Sequence, residues 1–179
     1  NSKDRCYHCK KKLFGALLNE AEKLGFSKVA HGINMDDLLD FRPGIKAAEE
    51  LNIFAPFVEA NLTKDEIREE SKKLGLSTWN MPSQSCLATR IPYGNKITSE
   101  ILAKVESCES YLQNLGFYGI RVRYHGNLAR IEAPSSLISK IANNAIRNKI
   151  VHFFKTQGFI FISLDLAGYK QGSLNISKD

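Results

Sequence analysis

Residues 53–75, IFAPFVEANLTKDEIREESKKLG, set the reading of the first half of this chain. The apolar run at 53–58 reads as a short strand. Thr63 follows as a helix cap, Glu66 stands at the capping-box position, and Gly75 supplies the stop. A helix is therefore predicted through Leu74. Upstream, Pro43 and Gly44 open a helix to about Leu51, residues 32–42 form a polar loop, and residues 26–31 read as another short strand. Residues 5–24 read as an amphipathic helix with Leu13, Leu17, Ala21 and Leu24 at helical spacing and Gly25 as its stop. Helices alternating with short apolar strands predict an α/β layered domain with a parallel sheet. Ligands bind beyond the carboxyl ends of strands in such sheets, and the loop after His31 is one such place.

Downstream, residues 76–96 show no period and hold Pro82, Pro92 and Gly94. An aperiodic stretch of about 20 residues inside a compact domain is unusual and commonly functional. It also reads as the domain boundary, giving domains at 1–95 and 96–179. Thr98 then caps a helix to about Leu115. Strands are predicted at 119–124 and 128–133 around the His125-Gly126-Asn127 turn, a helical stretch at 135–156 and a last strand at 159–164. The order α-β-β-α-β predicts a small α+β domain resembling part of a ferredoxin-like fold.

The chain has 179 residues, 43% of them hydrophobic and 25% charged, ordinary values for a globular protein that buries a core. No apolar run approaches the roughly 20 residues that span a bilayer. The first stretch, with Lys3, Asp4 and Arg5, carries no export signal. A cytosolic location is expected, where the four cysteines, Cys6, Cys9, Cys86 and Cys108, stay reduced. The net charge of +6 permits nucleotides, phosphates or RNA as ligands without choosing among them, and a basic surface kept for solubility accounts for it equally well.

Five stretches carry candidate chemistry. In Arg5-Cys6-Tyr7-His8-Cys9-Lys10-Lys11, the cysteines at i and i+3 share a helix face and suggest metal or redox work. A tetrahedral site needs four ligands, however, and the chain has no second CxxC. Residues 32–44 place Asn34, Asp36, Asp37, Asp40 and Arg42 in one loop after a strand. Such carboxylates can hold the Mg²⁺ that accompanies ATP, with Arg42 on a phosphate or a carboxylate, or they serve as turn and cap residues. Around Cys86 stand Ser83, Gln84, Ser85 and Thr89, with Arg90 four residues on. A loop thiol near a cation suits a nucleophile or sulfur donor, while most lone loop thiols are inert. Arg121 and Arg123 alternate onto one strand face, with Arg130 and Glu132 on the paired strand. That face either binds phosphate or is a Glu-paired surface. A polar, Gly-containing tail from Asp165 to Asn175 closes the set.

Taken in order, RCYxCK, G-x-N-x-D-D-x-x-D-x-RPG, L-T-K-x-E-I-R, T-W-x-x-P, C-L-A-[ST]-R-I-P-Y-G and D-L-x-G-Y-[RK]-x-G-S-L-N resemble the LarE family of ATP-dependent sulfurtransferases over nearly the whole chain. The resemblance implies an adenine nucleotide alpha-hydrolase-like (PP-loop) domain followed by the small α+β domain, ATP and Mg²⁺ as cofactors, and a homo-oligomer. It implies sulfur transfer to pyridinium-3,5-biscarboxylic acid mononucleotide in nickel-pincer nucleotide biosynthesis, with Cys86 as the catalytic residue. Tyr7, Lys11, Arg90 and Glu109 would line the substrate pocket, and Arg121 and Arg123 would bind the substrate phosphate. Serines at 83 and 85, where some members carry cluster cysteines, favour a cysteine that gives up its own sulfur. The family's S-G-G-x-D-S loop has no counterpart here and is expected upstream of Asn1, so that these 179 residues alone would not split ATP. A tRNA thiolation enzyme and a non-catalytic nucleotide-binding module are the rival readings; neither nucleic acid nor membrane is an expected partner.

Overall fold

The computed structural model describes residues 1–40, 42–81 and 85–169. The chain divides into two compact units, Ser2–Met81 and Pro82–Asp179 together with Asn1. The division falls inside the aperiodic stretch, near its start. Ser85 to Asn95 thus pack with the second unit rather than the first.

In the first unit α1 (Arg5–Lys23) packs on α2 (Pro43–Glu50), followed by a single turn, α3 (Pro56–Glu59), and by α4 (Lys64–Lys73). The core is Phe14, Ala48 and Ile53, flanked by Leu18, Val29 and Leu51. The stripe of Leu13, Leu17 and Leu24 is exposed within this unit. Apolar residues occupy both 13/17 and 14/18, and periodicity alone could not choose between these adjacent faces. α4 begins as read: the Thr63 side chain accepts from Glu66 N, and Glu66 reaches back to Thr63 N at 2.8 Å.

The two strands expected in this unit reduce, among the described residues, to one parallel bridge between Ala30 and Phe54. It is made by His31 N donating to Phe54 O and Phe54 N to Val29 O, each at 2.9 Å. Pro56 ends the extended run two residues later, since its fixed φ suits the first turn of a helix and it has no N–H to give a ladder. The parallel sheet is thus present as a single contact.

The second unit follows the predicted order. α5 (Ser99–Asn114) is capped by the Thr98 side chain, which accepts from Ile101 N. β1 (Arg121–His125) and β2 (Leu128–Glu132) pair antiparallel, and β3 (Phe161–Leu164) joins β2 in parallel to give the sheet order β1-β2-β3. The hairpin turns in two residues, Gly126 and Asn127, with a positive φ of 65° at the glycine, as a II′ turn requires. The long helix expected at 135–156 is two, α6 (Ser135–Ala142) and α7 (Asn144–Thr156). Asn143 breaks it: its backbone is extended (ψ 138°) and its side-chain oxygen accepts from Ala145 N, capping the second helix.

The core of this unit lies between one sheet face and the helices. It holds Val105, Cys108 and Leu112 of α5, Val122 and Ile131 of the hairpin, and Phe154 of α7. Tyr111 and Phe153 stack with ring centroids 4.0 Å apart, joining α5 to α7. The other sheet face carries Arg121 opposite Glu132 and Arg123 opposite Arg130. Among the described residues no helix is long and apolar enough to cross a membrane.

Candidate functional site

Cys86 is exposed and stands immediately before a 3₁₀ turn, Leu87–Arg90. Its backbone is held from three directions. Its carbonyl oxygen accepts from Thr89 N at 2.9 Å, Thr89 Oγ1 at 2.8 Å and Arg90 Nη1 at 3.3 Å. The thiol is therefore presented to solvent from a fixed main chain, an arrangement suited to a nucleophile. Ser83 and Gln84 lie outside the described residues.

Arg90 is 3% exposed, and it anchors this turn. Nε and Nη2 make a two-pronged pair with Glu109 of α5, at 2.8 and 2.9 Å. Nη1 donates to Ser85 O, Ser85 Oγ and Thr89 Oγ1 as well as to the Cys86 carbonyl. Glu109 also accepts from Val122 N at 2.8 Å, so one carboxylate ties α5, β1 and the cysteine turn together. Arg123, also buried, donates through Nε and Nη2 to Glu132 and through Nη1 to Thr89 O at 2.7 Å. Glu132 is shared with Arg130, which pairs further with Asp165. On this arginine face Arg123 and Arg130 are both paired with the buried Glu132 carboxylate. Arg121 donates to Ile120 O and lies 5.3 Å from the centre of the Tyr169 ring. Residues 170–175 of the tail motif lie outside the described residues.

In the first unit Tyr7 and Lys11 are brought together by Glu50, at the end of α2. Tyr7 donates to Glu50 Oε2 at 2.8 Å, and Lys11 Nζ reaches both that oxygen, at 2.7 Å, and the tyrosine hydroxyl, at 2.9 Å. The Glu50 and Tyr7 hydrogen bonds raise the Lys11 pKa, and the Lys11 contact lowers that of Glu50. Glu50 escaped the sequence reading, since nothing in an amphipathic helix marks which exposed glutamate will meet a neighbour.

The acidic loop is folded on itself. Asn34 and Asp37 exchange backbone-to-side-chain hydrogen bonds at 3.3 and 3.1 Å, and Asp37 and Asp40 both pair with Arg42. Asp36 accepts from Lys64 N, the first amide of α4. These are the turn and cap roles open to Asp and Asn. Among the described residues no three His, Cys, Asp or Glu side chains cluster as metal ligands. Cys6 and Cys9 are both free and exposed, and Cys108 is buried.

Over 175 residues, 98% of its length, the chain is 33% identical to pyridinium-3,5-bisthiocarboxylic acid mononucleotide synthase of Lactiplantibacillus plantarum. The chain is similar to a nucleotide synthase. It is also 43% identical, over 98% of its length, to an uncharacterised protein of Synechocystis sp., and 39% identical, over 95%, to one of Methanocaldococcus jannaschii. The chain spans 63% of the synthase and 65% and 66% of the other two, just under two thirds of each. No family model matches it. The name of the synthase describes an enzyme whose product carries two thiocarboxylic groups on a pyridinium mononucleotide.

Proposed function

We propose that this chain belongs to the LarE family and acts in ATP-dependent sulfur transfer to pyridinium-3,5-biscarboxylic acid mononucleotide, with Cys86 as the sulfur donor. The observation that carries the reading is the 33% identity to a bisthiocarboxylate synthase along 98% of a chain whose Cys86 is exposed on a braced turn. In this reading ATP, with Mg²⁺ as its counter-ion, activates a substrate carboxylate as the acyl adenylate, and pyrophosphate departs. The Cys86 sulfur attacks the acyl carbon and AMP departs, leaving a thioester. Loss of the Cys86 α-proton and cleavage of its Cβ–Sγ bond then release the thiocarboxylate and leave dehydroalanine. The acidic loop's described carboxylates are engaged by protein partners, so no step is assigned to them. Arg90, Glu109 and Arg123 act as positioning residues for the cysteine turn, while Tyr7 and Lys11 are the proposed substrate contacts of the first unit.

The test is intact-mass analysis of the full-length protein after incubation with MgATP and the biscarboxylate mononucleotide. Conversion of a thiol to dehydroalanine removes one H₂S, about 34 Da, and the peptide map should place that loss at Cys86. Product formation with an unchanged mass would exclude self-sacrifice. Product formation by Cys86→Ala would exclude Cys86 altogether.

A further inference from the structure

The hydrogen bonds on the Cys86 carbonyl do more than fix a loop. Breaking the Cβ–Sγ bond of a substituted cysteine requires removal of the proton on its own Cα. The electron pair left behind is delocalised onto the carbonyl oxygen of the same residue, which becomes an enolate oxygen. That oxygen here accepts from the Thr89 amide at 2.9 Å, the Thr89 hydroxyl at 2.8 Å and the Arg90 guanidinium at 3.3 Å. Two close donors from Thr89, with the Arg90 guanidinium at a longer 3.3 Å, are aimed at an atom where charge develops, the arrangement of an oxyanion hole.

We propose that Thr89 and Arg90 constitute an oxyanion site for the carbanion of Cys86, so that this turn promotes elimination of a sulfur substituent as well as presenting the thiol. The inference rests on the sulfur-transfer reading for its biological use. Thr89 is the catalytic donor: its hydroxyl accepts from Arg90 Nη1 at 2.9 Å, and its proton has the Cys86 carbonyl at 2.8 Å as the nearer acceptor, with Ser85 Oγ farther off at 3.3 Å. Arg90 is itself fixed by Glu109, so the donors are in place before charge appears and need not reorganise. The step balances without an oxidant or reductant. A solvent base takes the α-proton, the pair passes through the enolate into the Cα=Cβ bond, and the sulfur departs with the electrons of the Cβ–Sγ bond.

The experiment uses a chemical leaving group, so that it reads the elimination apart from ATP or substrate. The Cys86 thiol of the full chain is converted to a cyclic sulfonium with a bis-alkylating dibromide. The rate at which dehydroalanine appears at Cys86 is then followed by peptide mapping. Thr89→Val, which keeps the shape and removes the hydroxyl, should slow elimination about 10²-fold, the cost of losing one oxyanion donor. Thr89→Ser should restore it, and in denaturant all three proteins should eliminate at one slow rate. Equal rates in native wild type and Thr89→Val would overturn the proposal, as would a native rate no faster than the unfolded one. If the elimination behaves as stated while the full-length protein yields product without losing Cys86 sulfur, the sulfur-sacrifice reading fails and the oxyanion chemistry of the turn stands.

Discussion

Arg90 and Glu109 meet through two parallel hydrogen bonds, Nε to Oε1 at 2.8 Å and Nη2 to Oε2 at 2.9 Å, in a setting where both residues are more than 90% buried. The pair bolts the cysteine turn to α5. Removing one partner leaves the other as an uncompensated buried charge, which costs about 3–5 kcal/mol. Arg90→Ala is therefore expected to lower the unfolding free energy by that amount in urea titrations. Arg90→Lys should recover little of it, because an ammonium cannot supply the planar fork. A loss below about 1 kcal/mol for Arg90→Ala would contradict the buried geometry.

The four cysteines should differ sharply in reactivity. Burial pushes the Cys108 thiol up to about 12, the nearby Lys104 opposing this and Glu109 adding to it. Cys6, Cys9 and Cys86 are exposed. Iodoacetamide at neutral pH should therefore label these and leave Cys108 intact until denaturant is added, as read by peptide mass mapping. Labelling of Cys108 in the native protein would contradict its burial.

His31 gives the first unit a pH dependence of defined sign. Burial, and then the charge of Lys10, hold its pKa below the ordinary 6.5; its ring lies edge-on to Phe14 at 5.6 Å. As pH falls through 6.5, the unfolded chain takes up the proton before the native one does. The stability due to neutral His31 is thus fully present above the unfolded pKa. It is lost as pH falls through that value to the lower native one. Denaturation midpoints measured from pH 8 to pH 5 should fall, and His31→Gln should flatten the slope in that window.

The cap of α4 can be tested by itself. Thr63→Ala removes the side-chain acceptor for Glu66 N and one partner of the Glu66 carboxylate. A lost cap of this kind costs about 1 kcal/mol. Thermal unfolding should register it, and Thr63→Ser should be close to wild type.

The capped helices were legible because their signals are local. Thr63 with Glu66, and Thr98 before an apolar-periodic run, act within one helical turn. The hairpin was legible for the same reason, since Gly126 and Asn127 specify the turn that sets the register. The first unit was less so. Residues 26–31 and 53–58 have strand composition, but a strand exists only where a neighbour supplies the ladder. Here the two runs share the Ala30–Phe54 bridge alone. The helix over 135–156 was read through its break because Asn143 sits in an otherwise continuous apolar period, and its capping role depends on the turn it makes.

The sequence by itself determined that Cys86 lies in a polar turn with a threonine and an arginine three and four residues on. It also carried the Thr63 and Thr98 caps and, except for the break at Asn143, the order of elements in the second half. Only the tertiary structure decided what those neighbours do. Arg90 was read as a cation beside the thiol; in the fold its guanidinium is buried on Glu109 and touches Cys86 through the carbonyl oxygen. The physical reason is distance along the chain. Glu109 is 19 residues from Arg90, and Thr89 O is 34 residues from the Arg123 guanidinium it binds. Such pairs exist only after α5 and β1 have packed, because a charge leaves water for the interior only where a partner is already waiting.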